Sequence, residues 1–178
     1  DTIANISFIS REDLEKDLDI KIKSPFFLGT YHPVTLKNSS MSGFRNLLLA
    51  LETFQEATIV FTLSNADANG RVIIENTKNF IKLLPNKRYL FNSLGSLKYL
   101  SLMKQTDILI GNSSSGISEA PLLGIPTVNI GDRQKGRIRT FSIIDCKEKT
   151  EDIIQSINRA LSFEFRKKLI NLLNKEVL

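Results

Sequence analysis

Residues Asp107 to Arg137 read DILIGNSSSGISEAPLLGIPTVNIGDRQKGR, which sets three consecutive serines between an apolar strand and a helical pattern, with a basic loop further on. A loop that leaves a buried strand and enters a helix presents unpaired backbone N–H groups, and these attract phosphate. Serine hydroxyls add rotatable donors at the same place. Ser113, Ser114, Ser115 and Gly116 therefore form the candidate anion-binding loop. Hydrogen bonds to a charged group contribute about 1.5 to 3 kcal/mol each, so a few of them reach the roughly 8 kcal/mol of a micromolar ligand. The stretch lacks the Gly-Lys-Ser/Thr of a Walker loop and the GxGxxG dinucleotide fingerprint. Serines also cap helices, so on local sequence both capping and ligand binding are open to Ser114 and Ser115.

Glu119 adds a different chemistry. A capping box started by Ser115 would place its acid at position 118, which is Ser118, so Glu119 has no capping task of that kind. A carboxylate offers only acceptors, and the vicinal hydroxyls of a sugar are matching donors. Its alternative role is a favourable charge in the first helical turn. His32 is the only histidine, and in GTYHP the following Pro33 holds it extended at the end of a strand. An imidazole there can donate a hydrogen bond or a proton to a departing phosphate oxygen. Arg133 and Arg137, in GDRQKGR after another strand, can reach a diphosphate with bidentate forks. Asn65 and Asp67, in TLSNADANG, suit a ligand contact or an Asx turn.

The elements that must position these residues follow from the apolar pattern. Strand-length runs occur at Phe26 to Tyr31, Ala57 to Ser64, Arg88 to Ser93, in DILIGN, at Pro126 to Gly131 and at Phe141 to Cys146. They are continuous rather than alternating, as in strands buried on both faces of a parallel sheet. Helical patterns begin at Gly43, Asn69, Ser96, Ser115 and Thr150, the first running to Glu56 and the fourth to Gly124. Ile153, Ile154, Ile157 and Leu161 make one stripe of the last. LKNSSMSG, from Leu36 to Gly43, reads as a loop. Repeated β-α alternation predicts an α/β, doubly wound parallel sheet. In front of it SREDLEKDL reads as a helix capped by Ser10, and the tail from Phe163 is a further amphipathic helix.

Composition narrows the class. At 178 residues, 42% hydrophobic and 24% charged, the chain is globular and long enough for one domain with a real core. Acidic and basic residues interrupt the first twenty positions, so no signal peptide or membrane span is expected and the expected location is cytoplasmic. The net charge of +5 is spread without a basic, aromatic-interleaved stripe, which argues against nucleic acid. Cys146 is the single cysteine, so neither a disulfide nor a cysteine metal cluster is expected. The chain opens at Asp1 rather than methionine, which fits a piece of something longer.

GTYHPVT, SNAD, the long serine motif through GDRQKGR, and SIIDC together resemble the C-terminal half of the UDP-N-acetylglucosamine 2-epimerases, and most closely their hydrolysing branch. The resemblance covers the chain from about Ser24 onward, leaving 1–23 as a leading segment with a short helix and 24–178 as a UDP-binding, Rossmann-like domain. It implies a GT-B type enzyme with the active site between two such halves, using no metal or redox cofactor. By the resemblance Ser113 and Ser114 contact the diphosphate, Glu119 the ribose, and His32 and Arg133 the phosphates, while Asn65 lines the nucleotide site. Phe91 or Leu94 walls the uracil. The implied reaction eliminates UDP across C1 and C2 of the sugar and hydrates the resulting glycal to N-acetylmannosamine, a step toward sialic-acid-type sugars. The acids that act at C2 are assigned in the family to the N-terminal half, so the implied partners are UDP-sugar, that half of the same polypeptide, and further copies in a homo-oligomer. A fragment without that half would turn over little or nothing. A C-terminal domain of a GT-B glycosyltransferase and a stand-alone UDP-binding module are the competing expectations.

Overall fold

The computed structural model describes residues 3–34, 39–63 and 68–176. Six parallel strands form one sheet: β1 (Phe26–Thr30), β2 (Thr58–Thr62), β3 (Arg88–Phe91), β4 (Ile108–Gly111), β5 (Thr127–Ile130) and β6 (Ile143–Cys146). Their order across the sheet is β3-β2-β1-β4-β5-β6. This is the order of two Rossmann halves, and its direction of winding reverses between β1 and β4. Burial follows position. Every residue of β1, β4 and β5 is buried, whereas β3 and β6 lie at the edges and are partly exposed.

Side chains alternate between the two faces of the sheet. On one face Phe27, Ile59, Phe61, Ile108, Ile110, Val128 and Ile130 pack with α2 (Ser39–Glu52), α3 (Ala68–Leu83), α6 (Thr150–Leu161) and α7 (Phe163–Glu176). On the other, Phe26, Leu28, Val60 and Leu109 meet α1 (Arg11–Leu18) through Leu14 and α4 (Gly95–Gln105) through Leu102 and Met103. Ile20 and Ile22 of the leading segment join this second core. Ser10 caps α1 as its sequence predicts, accepting from the Asp13 N–H at 3.1 Å.

Two helices depart from the sequence expectation. Ser39 to Gly43, expected as loop, opens α2, which ends at Glu52 rather than Glu56. Gly43 obscures this start, and it sits close to two side-chain tips. A Cβ there would stand 2.7 Å from the Tyr31 hydroxyl and 2.8 Å from the Glu148 carboxyl carbon. The helical pattern from Ser115 breaks into α5 (Ser115–Ser118) and a 3-10 turn at Pro121–Leu123, because Pro121 has no N–H to continue the ladder. In α6 the buried stripe is Ile153, Ser156, Ile157 and Ala160, with Ile154 and Leu161 at its margin.

Arg88 on edge strand β3 is 1% exposed. Its charge is compensated by a forked pair with Glu52 at 3.0 and 3.2 Å, by the Phe80 carbonyl at 2.9 Å and by the Phe80 ring at 3.8 Å. No helix among the described residues is long and apolar enough to cross a membrane.

Candidate functional site

β1 and β4 are neighbours, and the chain leaves them in opposite directions across the sheet, so a crevice opens beyond their carboxyl ends. His32 stands at the end of β1 and the serine loop at the end of β4. Arg133 follows β5. Sequence had placed all three at strand exits, and the strand order makes them adjacent.

The serine loop is built from within. Ser115 is buried, and its hydroxyl lies 2.8 Å from the Tyr99 hydroxyl and 3.0 Å from that of Ser113. Its N–H donates to the Ser113 Oγ at 3.3 Å. Ser115 thus acts inside the loop and Tyr99, from α4, supports it. Burial drives the Tyr99 phenol upward in pKa, against the hydrogen bonds from Ser115 and Thr30 that lower it. Ser114 is exposed, its side chain makes no capping bond, and its carbonyl accepts from the N–H groups of Ile117 and Ser118. Capping is therefore not its role. Gly116 is buried against β5: a Cβ would meet Thr127 Cγ2 at 2.6 Å, and its carbonyl accepts from Thr127 Oγ1 at 2.9 Å. With α5 only four residues long, the helix field at this loop is small.

Glu119 is half-buried just past α5, and Ser118 donates to its Oε2 at 2.7 Å. The other carboxylate oxygen has no hydrogen-bond donor among the described residues.

His32 is half-buried. Burial, and then the neighbouring Arg133 guanidinium, hold its imidazole below the usual histidine range. Arg133 is exposed and donates to the Asn112 carbonyl at 3.0 Å. Partial desolvation and the like charge of Arg137 lower its own pKa. Two cation-forming side chains held close together, with the imidazole mostly neutral, suit an incoming anion that neutralises one and can protonate the other.

Phe91 ends β3 and Leu94 precedes α4; both are partly buried at the margin of the second core. The sheet order sets them two strands from His32, roughly 10 Å at ordinary strand spacing. Asn65 and Asp67 lie outside the described residues. Cys146 is a partly buried core side chain whose thiol is pushed up to about 11 by burial. Among the described residues no cluster of His, Cys, Asp and Glu has the makings of a metal site.

Sequence reasoning missed Asn112, Gln134 and Tyr99. Gln134 is 3% exposed in the midst of a charged loop and donates to the Asn112 carbonyl at 2.9 Å. Nothing in its local pattern marks it as buried.

The sequence profile of the family described as UDP-N-acetylglucosamine 2-epimerase matches residues 1–175. The chain belongs to the UDP-N-acetylglucosamine 2-epimerase family. Among curated relatives of this epimerase-family chain, the GDP/UDP-N,N'-diacetylbacillosamine 2-epimerase (hydrolyzing) of Campylobacter jejuni is 46% identical over 165 residues, covering 92% of the chain and 42% of the relative. The chain therefore spans about two fifths of the length of that protein. Its fold is similar to that of the Neisseria meningitidis UDP-GlcNAc 2-epimerase solved with UDP-GlcNAc, with a TM-score of 0.66 at 20% identity over 90% of the chain and 42% of that structure. It is also similar to the C-terminal domain of a group 1 glycosyl transferase from Francisella tularensis, with a TM-score of 0.63 at 13% identity over 95% and 91% of the two chains. The expected α/β, doubly wound fold of the C-terminal half of a GT-B enzyme is thus observed, and the resemblance carried by the serine motif holds.

Proposed function

We propose that this chain is the UDP-sugar-binding half of a hydrolysing UDP-N-acetylglucosamine 2-epimerase, acting on UDP-GlcNAc or a close N-acyl relative within a cytoplasmic, homo-oligomeric enzyme. The observation that supports the proposal is that the serine loop, His32 and Arg133 follow the neighbouring strands β4, β1 and β5 in a chain of this family. Ser113 and Ser114 bind the diphosphate, Arg133 offsets its charge and Glu119 takes the ribose hydroxyls. Phe91, Leu94 and Asn65 line the nucleoside side. In the reaction the C2 proton leaves to a base on the other half, the C1–O bond breaks, and its electron pair departs with UDP. Water then adds across the glycal to release N-acetylmannosamine. His32 serves the leaving oxygen.

The phosphate contacts dominate this site, so calorimetry on the protein is expected to rank UDP above UMP and UMP above uridine. Equal affinities for the three would remove the phosphate assignment.

Glu119→Gln is expected to weaken UDP binding by about 1 to 3 kcal/mol without unfolding the chain. The amide keeps one acceptor oxygen and sets donors against the donors of the ribose. With 2',3'-dideoxy-UDP the substitution should change little. A similar loss with both ligands would make Glu119 structural.

A further inference from the structure

Asn112 follows the last residue of β4 and is 1% exposed. Its backbone N–H donates to the Thr30 carbonyl at 3.2 Å, extending the β1–β4 ladder. Beyond that point its side chain continues the pairing. Oδ1 accepts from the His32 N–H at 2.7 Å, and Nδ2 donates to the His32 carbonyl at 2.9 Å. Its own carbonyl receives Arg133 Nη1 at 3.0 Å and Gln134 Nε2 at 2.9 Å. One buried residue thus ties together the segments that follow β1, β4 and β5.

The two-point contact with His32 explains the residue type. A backbone presents one donor and one acceptor, and only a side-chain amide of this length returns one of each. Aspartate would set an acceptor against the His32 carbonyl oxygen, and alanine would leave the half-buried N–H and C=O of His32 without these partners.

We propose that Asn112 is a positioning residue: by gripping the main chain of His32 and the guanidinium of Arg133, it holds imidazole and guanidinium at one separation so that both address the same anionic group. It does not touch the ligand itself. The inference rests on the UDP-site assignment above, and adds the part that sets the geometry between two of its groups.

The single histidine gives a direct readout, because one imidazole resonance reports His32 in proton NMR. Among the described residues Arg133 is the charged group acting on that imidazole. In Asn112→Ala the main-chain carbonyl that receives Arg133 remains, and the His32 titration midpoint is expected to move up toward the ordinary histidine value because the His32 segment, released from the amide, gains solvent and loses its fixed separation from Arg133. UDP affinity, measured by calorimetry on the same sample, is expected to fall about tenfold or more. Asn112→Asp keeps the size and one hydrogen bond and serves where alanine fails to fold. Its carboxylate is expected to raise the His32 midpoint further, since a nearby negative charge favours the protonated ring, and to repel UDP. A His32 midpoint and UDP affinity equal to wild type in either folded variant, with only the melting temperature lowered, would overturn the inference and make Asn112 a strand-end brace. Absence of UDP binding in the wild-type protein would overturn the site assignment and the inference with it, and is distinguished by appearing before any substitution is made.

Discussion

His32→Ala is expected to lower kcat by about 100-fold or more in a polypeptide that carries both Rossmann halves, while UDP affinity falls much less. Negative charge develops on the leaving phosphate oxygen as the C1–O bond breaks, so a group that donates to that oxygen acts more strongly on the transition state than on the bound substrate. Burial and Arg133 keep the imidazole below the usual histidine range, so it is mostly neutral in the empty site at neutral pH. A bound diphosphate reverses the sign of the local charge and raises the imidazole, so UDP binding should take up a proton and tighten as pH falls through the interval between the two values. Steady-state kinetics separate this role from a simple ground-state contact. A raised KM with kcat unchanged would take His32 off the catalytic list.

Gly111→Ala is expected to destabilise the fold by about 3 to 5 kcal/mol, in the upper range for a single substitution. Gly111 has φ 133, a conformation strained for any side chain. It is also the last residue of β4, opposite Thr30 of β1 and Asn129 of β5. A Cβ would overlap the Thr30 carbonyl oxygen and lie 2.8 Å from the Thr30 carbonyl carbon. Those atoms are backbone in the centre of the sheet, so they cannot move aside without parting β1 from β4. The loss should appear as a fall in melting temperature of roughly 10 °C, and UDP binding should weaken with it because His32 and Asn112 lie just beyond the displaced strands. Gly95→Ala is the control. That glycine also has positive φ, at 70°, but open space around it, so its substitution should cost about 1 to 2 kcal/mol. Equal losses at the two positions would mean that backbone strain alone, and not the contact with β1, sets the cost.

Much of this chain was legible without coordinates because its signals are local. Continuous apolar runs marked the strands, since a strand covered on both faces favours apolar side chains at successive positions, and each run contains an observed strand. The serine loop, His32 and Arg133 stood out as candidates because each follows such a strand, and Glu119 because no capping box accounts for it. Polar residues and glycine misled the same method at Ser39 to Gly43, where the chain is helical despite a loop-like local composition. Only tertiary structure decided which strand exits are neighbours, because strand order is set by crossover paths and not by any residue in the strands. The same holds for the buried polar residues. Arg88, Gln134 and Asn112 look like surface residues in their own stretches, and become interior only because partners from distant segments, Glu52, Asn112 and His32, satisfy their charges and hydrogen bonds.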